Sequence, residues 1–228
     1  TSFIVTLIAG ASILLSSSAK VPPAARPFVV VGPMGFSLLM LLQFLTNQFG
    51  FDREGFRALV LSPADRSLIL LGKNLALLPI ALSSGALLLG LTAIWLRLPL
   101  VGVAAGLFQL MTLLLLGAFG SNLLSILVPY RIQSGSIKPT KMPGLAMLLM
   151  VLCQLLFPLV MLPVLVPPLV ELLWQLADLP PAMPVNLVLS MILALSLAFL
   201  YWITLEPMGR LLHRREITIL GKVTQEVE

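Results

Sequence analysis

One histidine, one cysteine and nine acidic residues are the stock from which this 228-residue chain could build acid–base or nucleophilic chemistry. A nucleophile–histidine–acid set needs its histidine held between two specific partners. His213 instead stands beside Arg214 and Arg215 in a charged tail, where it reads as a solvated-face residue. Cys153 has no second cysteine to pair with, and no cysteine–histidine spacing suggests zinc. The sequence contains no GxxxxGK[ST] loop to cradle a nucleotide, no HExxH and no GxSxG. These absences imply a chain that is not an enzyme by itself, with no catalytic residue and no resident metal or cofactor.

Two polar clusters remain that could do non-catalytic work. The first is Gly120-Ser121-Asn122 with Ser125, inside an apolar run. Such a cluster serves either interhelical hydrogen bonds or the lining of a transport path. The second is the stretch 47–74, NQFGFDREGFRALVLSPADRSLILLGKN, the longest that is not membrane-like. It interleaves Asp52, Arg53, Glu54 and Arg57 with Phe51, Phe56, Leu59 and Val60. At 3.6 residues per turn the apolar four share one side and the charges mostly the other. This predicts a short amphipathic helix over 51–61, lying along a membrane surface or against a partner. Ser62-Pro63-Ala64-Asp65 then reads as the next helix start: Ser62 as cap, Pro63 in the first position and Asp65 in the first turn.

The elements that must position these clusters are apolar. The chain is 59% apolar and 10% charged, with mean hydropathy +1.07, against roughly 25% charged in a soluble domain. Six apolar segments are expected as spans, at 1–17, 28–46, 75–96, 100–128, 144–166 and 185–205, and none contains a charged residue or histidine. A bilayer core takes about 20 helical residues, so the first segment is short. The chain opens at Thr1 with neither a basic n-region nor a cleavage site, which reads as a fragment lacking its upstream part, not as a signal peptide. Within the segments Ser83, Ser84, Gly85, Gly90, Gly117, Gly120 and Ser121 would allow close helix approach, and prolines 33, 79, 158 and 163 would be tolerated kinks.

The fourteen basic residues set the topology. Loop 47–74 carries Arg53, Arg57, Arg66 and Lys73, loop 129–143 carries Arg131, Lys138 and Lys141, and tail 206–228 carries Arg210, Arg214, Arg215 and Lys222. The alternate side has Lys20, Arg26 and Arg97. Eleven against three places the two loops and the C-terminus in the cytoplasm of a multi-pass protein of the cell (inner) membrane. The same distribution makes the net charge of +5 a topology signal, with no nucleic-acid partner implied. Prolines 167, 168, 180 and 181 bracket a twelve-residue apolar segment, expected as a separate interfacial or re-entrant helix on the outer side. The tail is expected to form a cytoplasmic helix.

At 47–74 the chain resembles the first cytoplasmic loop of exporter-type ABC transporter permeases of the type-2 group. The matching positions are Asn47, Phe51, Asp52, Gly55, Arg57, Ser62, Pro63, Gly72 and Lys73. GAFGSNLLSILVPYRI at 117–132 and GRLLHRREITILGKVT near the C-terminus are similar to later parts of the same family. The resemblance implies an all-α membrane protein, a six-helix transmembrane bundle forming one permease domain over 1–228, with a cytoplasmic coupling helix and an outer interfacial helix. It implies pairing with a second permease domain, as a homodimer or as the missing half of a longer chain, and with ATP-binding subunits that carry the ATP and magnesium. By resemblance the coupling helix is 51–61, with Phe51, Asp52, Arg53, Glu54, Phe56 and Arg57 at the partner surface. Ser121, Asn122 and Ser125 are the candidates for a transport path.

Two other functions stay open on the sequence. An ion-coupled secondary transporter commonly places an ionisable group at mid-membrane, and the six segments hold none. A membrane scaffold without transport is compatible with everything above. The few polar residues in the spans (Gln43, Gln109, Asn122, Gln154, Asn186) favour an apolar or amphipathic cargo over a sugar or ion.

Overall fold

The computed structural model describes residues 21–133, 144–180 and 183–224. The expected first span, Lys20, Ser134, Lys138, Lys141 and Pro181 lie outside the described residues. After a 3₁₀ turn at Pro23–Ala25 come helices α1 (Arg26–Leu45), α2 (Gln48–Asp52), α3 (Gly55–Leu61), α4 (Arg66–Leu96), α5 (Leu100–Leu127), α6 (Gly144–Leu176) and α7 (Val185–Thr224). Among the described residues the protein is all-helical. Five helices, α1 and α4 to α7, are long and apolar enough to cross a membrane, and each contains one of the expected apolar segments or nearly so.

Helix ends depart from the expectations in two places. The segment after Pro167 and Pro168 is not a separate outer helix: α6 runs unbroken through both prolines to Leu176. A proline removes one backbone hydrogen bond, and on an apolar helix neighbouring helices and local adjustment absorb that loss. The long helix therefore includes Glu171, which lies beyond the charge-free segment 144–166. The tail likewise continues α7 through Pro207. At 1.5 Å per residue, the 40 residues of α7 extend for about 60 Å, twice a bilayer core of about 30 Å. Beyond the apolar stretch its buried positions are Leu205, Gly209, Leu212, Glu216, Ile219 and Val223, a single stripe at spacings of four and three.

The contacts gather into two compact units, to both of which the long helices contribute residues. Of the described residues, unit 1 comprises 21–40, 80–115, 158–180 and 183–197, and unit 2 comprises 41–79, 116–133, 144–157 and 198–224. In unit 1, Val30, Val31, Met34 and Leu38 of α1 are buried, as are Leu88 and Leu89 of α4 and Ala105, Leu110 and Leu113 of α5. The anticipated small residues are used in part: a Cβ on Gly85 would overlap the Leu110 side chain of α5, whereas Gly90 and Gly120 have nothing within 4 Å. A Cβ on Gly106 would stand 2.6 Å from Leu89 Cδ1, so α4 and α5 approach closely there. Ser37 and Ser84 hydroxyls hydrogen-bond at 2.7 Å between α1 and α4. Helix α4 stops in a Schellman arrangement: Leu98 N–H donates to Ala93 O at 2.9 Å with Arg97 at φ 51°. Helix α6 stops the same way, Leu179 N–H donating to Trp174 O at 3.3 Å with Asp178 at φ 50°. Pro99 and Pro180 follow these stops, as is common after a helix end.

In unit 2 aromatic pairs organise the packing. The rings of Phe49 and Phe56 lie 5.0 Å apart, those of Phe44 and Phe51 stack at 5.3 Å, and Phe119 meets Tyr201 edge-on at 5.7 Å. Tyr130, Ile132 and Ala146 form a small core with Phe51, Val128 and Met150 against it. Unit 2 also holds nine of the eleven described basic residues, all nine among those that the topology argument assigned to one side.

Candidate functional site

The stretch 47–65 lies in unit 2 between two long helices and folds as two short ones. The single amphipathic helix expected over 51–61 is broken at Arg53, which takes φ 50° and ψ −123° as the cap after α2. No L-residue continues an α-helix through that conformation. The Arg53 guanidinium meanwhile donates from Nη2 to Gln133 O at 2.5 Å. Phe51 and Phe56 consequently fall on different helices, and both have partners within this chain. Phe56 is 2% exposed against Phe49, which is fully buried, and Phe51 packs on Phe44. Phe56 is thus core of this loop, and Phe51 is partly buried within the chain, where the resemblance implied a partner surface.

What the loop presents outward is another face of α3. Glu54, Arg57, Ala58 and Leu61 are exposed and recur at helical spacing, with Leu61 at 77%. Asp52 is drawn inward, paired with Lys73 of α4. Of the six residues expected at a partner surface, Glu54 and Arg57 therefore face outward, Phe56 is buried, and Phe51, Asp52 and Arg53 are partly buried with partners inside the chain.

The connection into α4 also differs from its sequence reading. Ser62 is the cap after α3, and α4 begins at Arg66, with Asp65 O accepting from Ile69 N at 3.1 Å. The Ser62 hydroxyl accepts from Ala64 N at 3.2 Å. The organiser of this turn is Arg66, whose role the sequence reading missed. Its guanidinium donates to Val60 O at 2.9 Å and to Ser62 O and Ala64 O at 3.0 Å each. Those carbonyls belong to the end of α3 and the turn after it, where a cation is favoured. Its Nε donates to Glu216 Oε2 at 2.6 Å, tying the loop to the tail stripe of α7. His213, 68% exposed, places Nδ1 3.2 Å from the other oxygen of Glu216.

Beneath the loop lies a buried polar network. Helix α1 ends at Leu45, whose carbonyl accepts from Ser121 Oγ at 2.5 Å and Ser125 Oγ at 3.2 Å. The N–H of Gln48, opening α2, donates to Ser125 Oγ at 3.0 Å, and its side chain donates to Ser121 Oγ and, at 2.9 Å, to Asn74 Oδ1. Asn74 Nδ2 continues to Asn122 Oδ1 at 2.8 Å and to the Tyr201 hydroxyl at 2.7 Å. Asn47, fully buried, donates from Nδ2 to Tyr130 O at 2.8 Å and accepts from Tyr130 N at 3.2 Å. Gly50 packs so closely on the Asn47 side chain and Tyr130 O that a Cβ there would overlap both. Burial pushes the Tyr130 phenol above its usual 10.0, with the Asn47 and Thr46 side chains acting the other way.

The structure therefore brings Ser121, Asn122 and Ser125 together, and it joins them to the loop. They satisfy the backbone groups left open where α1 ends and α2 begins. Sequence reasoning found this cluster but missed Gln48, Asn74 and Tyr201. An amide at a loop edge and a tyrosine within an apolar run carry no local sign of a shared network. Among the described residues no group of histidine, cysteine and acidic side chains is arranged to hold a metal. Compared with known proteins, the chain matches no family model, no curated protein and no solved structure.

Proposed function

We propose that this chain is the membrane-spanning permease subunit of an ATP-driven ABC exporter. In this reading it moves its substrate out of the cytoplasm while a separate P-loop subunit binds and hydrolyses ATP with magnesium. The observation that carries the reading is the loop 47–65, a built surface between two spanning helices. Its inner side is fixed by Phe49, Phe56, the Asp52–Lys73 pair and Arg66, and its outer face offers Glu54, Arg57, Ala58 and Leu61. A loop that only anchored itself in the interface would turn its largest apolar groups to lipid; this one buries them and presents a mixed polar and apolar face suited to a protein partner. The buried network links that loop to α4, α5 and α7, so a push on the loop reaches three long helices.

The second permease domain is assigned to the uncovered side of α6. Leu148, Leu152, Leu155, Leu159, Leu162 and Val166 are all exposed and recur at spacings of four and three, the pattern of a helix–helix seam. The cytoplasmic side is the side of the eleven basic residues. Co-expression with a candidate P-loop ATPase subunit, followed by co-purification in detergent, tests the reading. A stable complex whose ATPase activity depends on the permease is the expected result. Transport that runs without any ATPase contradicts it.

One observation favours a second reading, ion-coupled secondary transport. Glu171 is an ionisable group on a long apolar helix, facing a cavity. Uptake or efflux driven by an ion gradient alone, and abolished by Glu171→Gln, would select that reading.

A further inference from the structure

Unit 1 contains a cavity of about 250 Å³, bounded by the start of α1, the α4–α5 turn, the end of α6 and the start of α7. At about 30 Å³ per water this is room for about eight waters, or a ligand group of similar size. Its walls are apolar, with Val30, Pro99 and Leu172 among them, and its polar groups are few and convergent: Arg26, Gln109, Glu171, Gln175 and Asn186. Such a combination is the usual form of a small-molecule site.

The two charges in the cavity are placed unusually. Arg26 is the first residue of α1, where the helix dipole disfavours a cation and favours an anion. Its guanidinium has no ion pair or hydrogen bond among the described residues. Glu171 accepts the backbone N–H of Asn186 in the first turn of α7, and it makes no ion pair either. The two opposite charges thus line one cavity without pairing to each other. The amides below them are already engaged, Gln109 Nε2 donating to Asn186 Oδ1 at 2.9 Å and Ser190 Oγ meeting the same oxygen at 3.2 Å. That leaves the guanidinium and the carboxylate as the groups awaiting a ligand.

We propose that this cavity binds a small zwitterionic head group, an anionic phosphate joined by a short linker to an ammonium. The Arg26 guanidinium holds the phosphate, offering two parallel donors. Glu171 takes the ammonium, and the apolar walls enclose the linker. A simple anion would satisfy Arg26 but would stand against the Glu171 carboxylate; a simple cation has the converse difficulty. The same chemistry is available from a phospholipid head group and from a free phosphoamine. The site is independent of the exporter reading, since it needs neither ATP nor the partner ATPase.

The full chain, purified in neutral detergent and stripped of lipid, provides the test. Binding is measured for soluble O-phosphoethanolamine, for short-chain phosphatidylethanolamine, and for phosphatidylglycerol as the anion without the ammonium. At least one ethanolamine phosphate should bind, and Arg26→Gln and Glu171→Gln should each weaken it about tenfold or more. Lys222→Gln, far from these groups in sequence and on an exposed position of α7, should leave it unchanged. Binding of the lipid alone assigns the occupant to the bilayer; binding of the soluble probe as well assigns a free metabolite-like ligand. Glu171→Gln keeps an acceptor for Asn186 N–H, and Arg26→Lys keeps the charge, so a reduced effect of Arg26→Lys reports the site even if Arg26→Gln folds poorly. Absence of binding by both ethanolamine probes, insensitivity to Arg26 and Glu171, or equal binding of phosphatidylglycerol would overturn the proposal.

Discussion

At the scale of single residues, Arg66 carries the most connections in the candidate site. It bonds three carbonyls and a carboxylate, and the Arg66 and Glu216 side chains are only 15% and 11% exposed. Truncation to alanine leaves those acceptors and the buried half of an ion pair without a partner. Arg66→Ala should therefore cost about 2–4 kcal/mol and make residues 55–65 sensitive to protease, read by thermal unfolding and limited proteolysis. A loss under about 0.5 kcal/mol, the size of a surface ion pair, would mean that Arg66 does not hold the turn. Tyr130 gives a pH prediction. Its folded pKa is raised by burial, so the unfolded chain releases the phenolic proton first. The stability it contributes is fully present below the unfolded value near 10.0 and is lost as pH rises through the folded value. Between pH 9 and 11 the wild type should lose stability more steeply than Tyr130→Phe, and parallel declines would contradict this.

At the scale of elements, α7 and α4 approach closely in unit 2. A Cβ on Gly209 would stand 2.6 Å from Ser67 N, an atom of the backbone that cannot turn aside. Gly209→Ala should destabilise by about 1–3 kcal/mol through overpacking, whereas Gly221→Ala, with nothing within 4 Å on the same helix, should stabilise by about 0.5–1 kcal/mol. Equal effects at the two glycines would contradict the packing. These elements were unevenly legible in the sequence. Apolar length marked the five long helices because a bilayer's thickness imposes that length. It did not mark where they end, since Pro167, Pro168 and Pro207 look like stops and are carried through by helices with other support. The periodicity at 51–61 put Phe56 inward and Glu54 and Arg57 outward, yet it grouped Asp52 and Arg53 with the exposed charges and could not tell a partner's surface from the chain's own Phe49. The break at Arg53 has no local signal, because the position wants glycine and holds arginine. Arg66 meets Glu216 across 150 residues of sequence, a pairing that no motif spacing encodes.

At the scale of the whole molecule, the five long apolar helices give a multi-pass membrane protein, and the basic residues gather in one of its two units. If that unit is cytoplasmic, Ser62→Cys in a Cys153→Ala background should resist an impermeant thiol reagent in intact cells, while Arg97→Cys should label. The reverse pattern would invert the topology. The central claim is that the outer face of α3 docks an ATPase, and it is tested most directly by measuring the affinity of that ATPase for variants of the two sides of the helix. Leu61→Ala and Arg57→Glu alter only the exposed face. Each should weaken association by about 5- to 30-fold, equivalent to about 1–2 kcal/mol at an interface centre, with the thermal stability of the permease unchanged and the Arg57→Glu effect greatest at low salt. Phe56→Ala should lower stability by about 3–5 kcal/mol, as for a buried aromatic. An affinity unchanged by Leu61→Ala and Arg57→Glu together, in permease that remains folded, would contradict the account.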